Sequence, residues 1–266
     1  VRLQPFFIPV YQSACRSQWM IRAGLSLYAC LGGLDASVRF RKCRQSQWDG
    51  LDGLKTQRLR AVFQYSDAQT NDLELTRAVA ASAISRGALI LESTEFVGAQ
   101  VNAHGVGIDY RDDRGQAKSC VAKMIVNAAG PWVNEVAACF DPKPPMANIS
   151  LVQGAHLVIK RKLNKGIYYI ESPIDQRAVF VMPWGEKTLL GTTETAVAKL
   201  SFDIVPTKDE VNYLLRTYNY FFPEIGTSHI DSQFAGVRVL PGTAGVASQK
   251  RRDTDFVVDN KSKPRI

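Results

Sequence analysis

The sequence predicts a mixed α/β fold in which two kinds of architecture follow one another along the chain. Met124-Ile125-Val126 is apolar throughout, as in a strand covered on both faces, and it leads through small residues to Pro131, which suits the first position of a helix. Before it, a helical pattern precedes alternating segments typical of antiparallel strands. Beyond Pro145, short strand-like segments separated by turns predict an antiparallel sheet.

The first 62 residues predict one helix and a long irregular stretch. Residues 16–31 carry apolar side chains at helical spacing and end at Gly32-Gly33, a pair that favours a helix end. Residues 34–62 are rich in Gly and Arg and show no clear period, which favours loop with short strands.

Residues 71–133 predict an α/β unit that includes a pair of antiparallel strands joined by a turn. Asn71 and Glu74 are typical of a capping-box-like helix start, and Gly87 suits the position just after a helix end. Strands are expected at Ala88–Leu91, Val106–Tyr110 and Ala117–Val121, with a turn at Asp112–Gly115 and then the Met124 strand.

Three prolines between 142 and 145 mark a boundary before a strand-rich segment. A helix is expected from about Lys208 to Phe222, because Pro223 cannot continue it. Strands are expected at Leu151–Ile159, Ile167–Ile170, Ala178–Met182, Lys187–Gly191 and Gln233–Val239. Strands joined by short turns are typical of an antiparallel sheet that floors a pocket.

Composition is typical of a soluble globular chain and disfavours several classes of protein. Of the 266 residues, 45% are hydrophobic and 22% are charged. No apolar run reaches the roughly 20 residues that span a bilayer, and no signal peptide follows Val1. The five cysteines are odd in number and none is two residues from another, which disfavours a metal site or a disulfide framework and favours a reducing compartment.

The net charge of +8 is partly clustered in three basic runs, 39–44, 160–165 and 250–252. Such an excess favours anionic partners, either phosphorylated metabolites or acidic lipid headgroups, and the alternative is that the runs are solvated loops. Nucleic acid is disfavoured as a partner, because aromatic residues do not interleave with the basic ones as a stacking platform requires.

The segment 126–132 has almost no side-chain bulk at Ala128, Ala129 and Gly130, so another chain segment or a flat ligand must approach its backbone closely. The same segment resembles the "V-N-A-A-G-P-W" corner of FAD-dependent glycerol-3-phosphate dehydrogenases. Further matches to this family occur in the same order along the chain, at Trp19–Leu25, Phe63–Asp72, Val179–Trp184 with Gly191–Glu194, and Phe234–Arg238.

The resemblance implies a partial, Rossmann-like FAD-binding domain interleaved with an antiparallel-sheet substrate domain. Residues 1–62 and 149–232 would belong to the substrate domain, and 63–148 and 233–266 to the FAD-binding domain. The implied activity is oxidation of sn-glycerol 3-phosphate to dihydroxyacetone phosphate with FAD as cofactor and a quinone as electron acceptor. The implied enzyme is cytoplasmic and bound peripherally to the inner face of a membrane, and a homodimer is kept open.

The resemblance also implies roles for two arginines. Arg238 matches an active-site arginine of the family, and a planar guanidinium suits polarising a developing carbonyl. The alternative is an arginine paired with a carboxylate at a strand end. Arg252 aligns with an arginine associated with the substrate phosphate, although Arg251 could fill that role.

The remaining candidates line the implied pocket. His156 matches the histidine of "K-G-S-H", with Gln153 in place of the lysine, and is expected to bind or orient substrate rather than act as the base; the alternative is a structural histidine. The residues expected to contact FAD are Ala128, Ala129, Gly130, Pro131, Trp132, Thr192 and Thr193, the last two in a match to "G-T-T-D". Capping of a turn is an equal alternative for the two threonines.

One expected feature is missing from the sequence. No G-x-G-x-x-G in a strand–helix context occurs, and such a loop carries the pyrophosphate of a dinucleotide. The resemblance places this loop and the general base before Val1, so the chain is expected to be an internal fragment that neither retains FAD nor turns over alone. Rival functions are a glycerol-3-phosphate oxidase, another amine or 2-hydroxy-acid oxidase, and a non-catalytic basic binding module.

Overall fold

The computed structural model describes residues 2–102, 105–242 and 256–258, and these residues fold into two units. Unit 1 comprises Val1–Glu74, Gln153–Thr195 and Asp203–Gly236. Unit 2 comprises Leu75–Val152, Ala196–Phe202 and, as far as it is described, Val237–Ile266. The mixed α/β class predicted from the sequence is confirmed.

The strands in chain order are β1 (Arg2–Tyr11), β2 (Arg41–Lys42), β3 (Leu59–Gln69), β4 (Glu95–Asn102), β5 (Gly105–Arg111), β6 (Ala117–Ala122), β7 (Phe140–Asp141), β8 (Ile149–Ile159), β9 (Ile167–Glu171), β10 (Ala178–Trp184), β11 (Lys187–Gly191), β12 (Thr195–Val197) and β13 (Ile230–Pro241). The α-helices are α1 (Gln18–Leu31), α2 (Asp72–Ile84), α3 (Val133–Ala138) and α4 (Lys208–Phe221). Short 3-10 helices cover Ala36–Val38, Gln45–Gly50, Gly130–Trp132 and Thr227–His229.

In unit 1 the strand order is β8-β11-β10-β9-β1-β3-β2, and β13 also pairs with β8. The run β8-β11-β10-β9 is antiparallel throughout, as the sequence predicts, whereas β1 joins β9 in parallel. Strand β1 was not predicted, and it pairs with β3 from Arg2↔Gln69 to Tyr11↔Leu59. This pairing places the segment 63–72 in unit 1, and the assignment of residues 63–148 to an FAD-binding domain stays a prediction.

Helix α4 builds the main core of unit 1. Its capping box at Thr207 fixes its start, and its apolar residues recur at the helical spacing 211, 214, 215, 218 and 221. These side chains pack with strands of the sheet into one cluster of 22 buried residues, which includes Leu214, Leu190 and Tyr168. A second, smaller cluster centres on Leu25 of α1 and Phe63 of β3.

Unit 2 contains a four-stranded sheet with the order β6-β5-β4-β7. The predicted hairpin and its turn are confirmed, since Asp112 Oδ1 accepts hydrogen bonds from the amides of Arg114 and Gln116 at 3.0 and 2.8 Å. The buried core of this sheet is small and consists of Ala99, Val106 and Phe140.

Two predicted strands are wrong. The segment 124–126 forms no strand, and Met124 and Val126 are 62% and 78% exposed. The segment 88–91 is also irregular, and Leu89 and Leu91 are exposed. A strand exists only where a neighbouring backbone supplies its ladder hydrogen bonds, and no described residue does so here.

Predicted helices agree better with the structure. Helices α1, α2 and α4 begin and end within two residues of the predicted positions. Asn71 caps α2 as expected, because its Oδ1 accepts from the amides of Leu73 and Glu74 at 3.1 and 3.3 Å. Among the described residues, no helix combines the length and hydropathy needed to cross a bilayer.

Candidate functional site

His156 packs against strand β11 and the ring of Phe234 in unit 1. It sits on β8 directly opposite Gly191 of β11, and its imidazole stacks on the ring of Phe234 with 5.0 Å between centroids and 13° between planes. A Cβ atom on residue 191 would overlap the imidazole, so only glycine allows the ring to lie across β11. The strand pairing and the stacking therefore fix the plane of the imidazole, and its role toward a substrate stays a prediction.

The turn that follows Gly191 is held by a buried carboxylate that the sequence analysis missed. Glu210, on the first turn of α4, accepts from the hydroxyls of Thr193 and Thr195 at 2.7 and 2.9 Å on Oε1. Its Oε2 accepts from Gln153 Nε2 at 2.8 Å, and from the amide and hydroxyl of Thr207 at 2.9 and 3.2 Å. Five donors thus converge on one side chain that is 4% exposed.

These hydrogen bonds control the charge of Glu210. Burial alone would raise the pKa of its carboxyl, but the backbone donor at Thr207 and the side chains of Thr193, Thr195 and Gln153 outweigh burial and hold the pKa below its usual value. The carboxylate is therefore charged at neutral pH and ties three segments together: β8, the turn after β11 and the start of α4.

Both predicted threonines lie in this turn, but their hydroxyls face different partners. Thr193 is buried, and its hydroxyl accepts from the amide of Ala155 at 2.8 Å while it donates to Glu210. Thr192 is half-buried, and its hydroxyl donates to the carbonyl of Thr193 at 3.2 Å. The turn interpretation accounts for Thr193, and a contact of either residue with FAD stays a prediction.

The corner that resembles the flavoenzyme family lies in unit 2. Asn127 closes it: its Oδ1 accepts from the amide of Ala129 at 3.2 Å, and its Nδ2 donates to the carbonyl of Val133 at 2.8 Å. Gly130 adopts a φ of +55°, and the space around its missing Cβ is open. Trp132 stacks on Phe202 at 5.4 Å, while Ala128 is exposed.

The corner at residues 126–132 leaves room for a flat ring such as that of FAD, but it supplies no loop for the phosphates of the cofactor. Its bare, open backbone between Ala128 and Gly130 allows a flat ligand to approach closely. The phosphate-binding glycine loop has no counterpart in the sequence. These residues therefore fit part of the cofactor, and no described group of three or more His, Cys, Asp or Glu side chains could hold a metal ion.

The two predicted arginines differ in what the structure describes. Arg238 lies on β13 and is half-buried. The residues of β13 up to Gly236 belong to unit 1 and the later ones, including Arg238, belong to unit 2. Arg252 lies outside the described residues. The structure thus brings His156 together with Thr192 and Thr193 in unit 1, and it places Arg238 and residues 128–132 in unit 2.

The sequence analysis missed two residues that organise the structure, Glu210 and Asn127. The pattern Thr207-Lys208-Asp209-Glu210 is typical of a capping box, and it could have identified Thr207 as a partner of Glu210. Asn127 stands two residues before Ala129, the spacing of an Asx turn, and this spacing could have identified it.

A model of FAD-dependent oxidoreductases (the DAO family) matches residues 5–263. D-erythritol 1-phosphate dehydrogenase of Brucella abortus is 30% identical over 95% of this chain and 51% of its own length. Glycerol-3-phosphate dehydrogenase of Pseudomonas aeruginosa is 32% identical over 88% of this chain, and aerobic glycerol-3-phosphate dehydrogenase of Escherichia coli is 31% identical over 85%, each over 45% of its own length.

Among solved structures, glycerol-3-phosphate dehydrogenase from Bacillus halodurans complexed with FAD matches 90% of this chain and 44% of its own length, with a TM-score of 0.72 and 23% identity. That likeness supports the fold alone. The chain spans about half the length of the curated relatives it matches. Since the family model covers nearly all 266 residues, the chain belongs to the FAD-dependent oxidoreductase family.

Proposed function

We propose that the protein containing this chain oxidises the C2 hydroxyl of sn-glycerol 3-phosphate to dihydroxyacetone phosphate. The observation that carries the proposal is the similarity, at 31–32% identity over 85–88% of the chain, to two proteins named glycerol-3-phosphate dehydrogenase. The five matching segments described above, spread from Trp19 to Arg238, support it.

In this proposal, residues 128–132 would contact FAD, which would supply the acceptor for the hydride that leaves C2, and the protein positions the substrate and stabilises charge. Arg238 faces the C2 oxygen as it becomes a carbonyl, where a permanent cation acts most strongly in the transition state. Arg252 binds the phosphate. His156, fixed flat between Gly191 and Phe234, forms a wall that orients the substrate.

A second substrate is favoured by one specific observation. The relative matched over the largest share of this chain among the three named above is a D-erythritol 1-phosphate dehydrogenase. Both substrates are polyol phosphates, so a phosphate-binding arginine and a carbonyl-stabilising arginine serve either one. The two differ by one hydroxymethylene group, a difference that a pocket discriminates by about 1–3 kcal/mol unless it binds the extra hydroxyl.

The electron acceptor and the location follow from the same proposal. The electrons pass to a quinone. Because reduction of a quinone implies attachment to the membrane, the cytoplasmic enzyme docks on its inner face. It does so as a monomer or a homodimer. Oxygen as acceptor would make the protein a glycerol-3-phosphate oxidase. A non-catalytic basic module would neither bind flavin nor turn over.

The test uses the full-length protein, purified with its flavin content measured first. Initial rates are recorded with sn-glycerol 3-phosphate and with D-erythritol 1-phosphate, using a soluble quinone analogue as acceptor, and peroxide is assayed in parallel. We expect quinone reduction with glycerol 3-phosphate at the higher kcat/KM and little peroxide. A preference for erythritol phosphate would replace the substrate, peroxide release would replace the acceptor, and a flavin-free, inactive protein would overturn the proposal.

A further inference from the structure

The segment of β8 that leads into His156 is held from the face of the sheet that α4 covers. Successive side chains of a strand point to opposite faces, so Gln153 and Ala155 lie on one face and His156 on the other. Leu157, the next residue on the face of Ala155, packs in the core cluster with Leu214 of α4. The imidazole therefore projects away from α4, and the backbone behind it determines where the ring lies.

Thr193 binds both backbone groups of Ala155, the residue directly before His156. Its hydroxyl accepts from the amide of Ala155 at 2.8 Å, and its own amide donates to the carbonyl of Ala155 at 3.4 Å. The pairing of β8 with β11 ends at His156 and Gly191, so these two hydrogen bonds extend the contact between the strands beyond that pair. Because Ala155 is fully buried, loss of the hydroxyl would remove the acceptor of a buried amide.

Glu210 fixes the orientation of the Thr193 hydroxyl. The hydroxyl donates its proton to Glu210 Oε1 at 2.7 Å, which leaves a lone pair of its oxygen for the amide of Ala155. The other carboxylate oxygen accepts from Gln153 Nε2 at 2.8 Å. One charged side chain thus holds β8 at two alternate residues, directly at Gln153 and through Thr193 at Ala155.

The next residue of the turn is held by a different side chain. Arg177 Nη1 donates to the carbonyl of Glu194 at 3.2 Å and lies 3.8 Å from its carboxylate. Asp175 holds the guanidinium in place, with its Oδ2 at 2.6 Å from Arg177 Nε. Thr195 binds Glu210, so Thr193, Glu194 and Thr195 are each tied to a residue outside the turn. A turn held at three successive residues is a rigid support for the strand beside it.

We propose that Thr193 and Glu210 act together as positioning residues for His156, and that the placement of this imidazole determines how C2 of the substrate is oriented for oxidation. Stacking on Phe234 sets the plane of the ring, whereas Thr193 and Glu210 set the position of the strand that carries it. The kinetic consequence rests on the proposed function. A wall misplaced by about 1 Å can lower the rate by about 10²-fold, because it disturbs the geometry of the reacting atoms.

The test compares variants of the full-length, flavin-loaded protein. Thr193→Val removes the hydroxyl and nearly keeps the side-chain volume, and Thr193→Ser keeps the hydroxyl. The control Tyr168→Phe removes another hydroxyl of unit 1 that donates to a carboxylate, that of Asp52, at 2.8 Å. Flavin content, melting temperature and steady-state kinetics with both polyol phosphates are measured for each protein. Crystal structures of the wild type, Thr193→Val and Thr193→Ser locate the imidazole of His156.

We expect Thr193→Val to displace the imidazole and to lower kcat by about 10- to 100-fold with full flavin, while KM changes by less than about threefold because the phosphate contact is untouched. Thr193→Ser should restore the ring position and most of kcat. Tyr168→Phe should keep kcat within about twofold, since its hydroxyl binds Asp52 and not the turn. Adding Glu210→Gln to Thr193→Val should lower kcat no further, because the two residues act as one unit.

Four outcomes would overturn the positioning role. A normal kcat or an unmoved imidazole in Thr193→Val would show that the hydroxyl does not place the ring. Loss of flavin from Thr193→Val would assign Thr193 to the cofactor. An equal loss of kcat in Tyr168→Phe would mean that stability alone acts. Additive losses from Glu210→Gln would separate the two residues.

Failure of the proposed reaction is distinguishable from failure of the positioning role. A wild-type protein that turns over neither polyol phosphate would sink the reaction. An imidazole displaced in Thr193→Val and restored in Thr193→Ser would still support the role of Thr193 in placing His156.

Discussion

Unit 1 and unit 2 differ in how much of their apolar surface they bury. Unit 1 has a cluster of 22 buried residues, and its polar interior is organised by Glu210 with five hydrogen-bond donors. In the described part of unit 2, the core cluster has three buried residues, and the corner that resembles flavoenzymes leads from an exposed segment, 124–126. Because burial contributes about 25 cal/mol per Å² of apolar area, we expect the described residues of unit 1 to contribute more stability than those of unit 2.

The difference separates the main core from some of the residues proposed to act on the substrate and cofactor, while His156, Thr192 and Thr193 share unit 1 with that core. Arg238 and the residues 128–132 lie in unit 2, whereas the packed helix α4 and the carboxylate that orders the turn at Thr193 lie in unit 1. The comparison predicts that substitutions in the core of unit 1 change the free energy of unfolding, and that substitutions at Arg238 and at residues 128–132 change activity at little cost in stability.

The largest expected effect is on the core of unit 1. Leu214→Ala removes a fully buried side chain from α4 and should lower the free energy of unfolding by about 2–5 kcal/mol, through lost burial and the cavity left behind. The contrasting change in unit 2 is Val126→Ala in the segment 124–126, which should stay within about 0.5 kcal/mol because Val126 is exposed. Urea denaturation followed by circular dichroism measures both. Equal losses would show that the segment 124–126 is packed as tightly as α4 and would break the comparison.

The next effect is on activity and falls on unit 2. Arg238→Ala in the full-length enzyme should lower kcat by on the order of 10²-fold or more, because the lost cation acts in the transition state. Arg238→Lys should rescue poorly, because a point charge lacks the planar fork of the guanidinium. Arg252→Ala serves as the contrast and should mainly raise KM, by roughly 10- to 150-fold, since a phosphate contact is made in ground and transition states alike.

Steady-state kinetics, with flavin content and melting temperature measured beforehand, decide between these outcomes. A normal kcat for Arg238→Ala with full flavin would refute the assignment taken from Gly236-Val237-Arg238. A collapse in stability would instead place Arg238 among the structural residues.

The sequence predicted local features of both units well and long-range ones poorly. Helix α2 and the turn at Asp112 were predictable, because the side chains that cap them stand two to four residues from the backbone groups they bind. The segments 88–91 and 124–126 have the hydrophobicity of buried strands, but a strand also needs a distant partner, and hydrophobicity does not identify one. Unpaired, these residues are largely exposed.

The candidate site divides in the same way. The capping box at Thr207 is visible in the sequence, but the other donors to Glu210 stand 15 residues (Thr195), 17 residues (Thr193) and 57 residues (Gln153) away. Their convergence depends on the pairing of β8 with β11 and on the docking of α4. The sequence identified His156 through a resemblance and not through its surroundings, because its neighbours Gly191 and Phe234 come from other strands.

A smaller effect is expected at the carboxylate that organises unit 1. Glu210→Gln replaces one acceptor oxygen with an amide nitrogen and leaves some of the five donors unsatisfied, at a cost of about 1–3 kcal/mol at neutral pH. The matched control is Glu186→Gln, whose exposed carboxylate pairs with Lys162 and whose loss should cost under about 1 kcal/mol.

The effect at Glu210 should also depend on pH in one direction. Its folded-state pKa is depressed, so the stabilisation by the charged form is complete above the unfolded pKa of about 4.3 and is lost as pH falls through the lower folded-state pKa. The gap between wild type and Glu210→Gln should therefore shrink on acidification below about pH 5. A gap independent of pH would show that the carboxylate acts only through its shape.

The smallest expected effect is at Gln153, where the resembling family has lysine. Gln153→Lys places an ammonium against the buried carboxylate of Glu210 in place of an amide donor at 2.8 Å. The attraction gained is offset by the cost of removing a second charge from water, and buried ion pairs of this kind are close to neutral in net stability. We expect the free energy of unfolding at pH 7 to change by less than about 1 kcal/mol, in either direction.

The midpoint of acid unfolding is more informative. An adjacent cation lowers the pKa of Glu210 further, so Gln153→Lys should move acid unfolding to lower pH. Gln153→Met, which is similar in size and carries no donor, should move it to higher pH. If both variants leave the acid midpoint unchanged, Glu210 does not control the acid stability of unit 1.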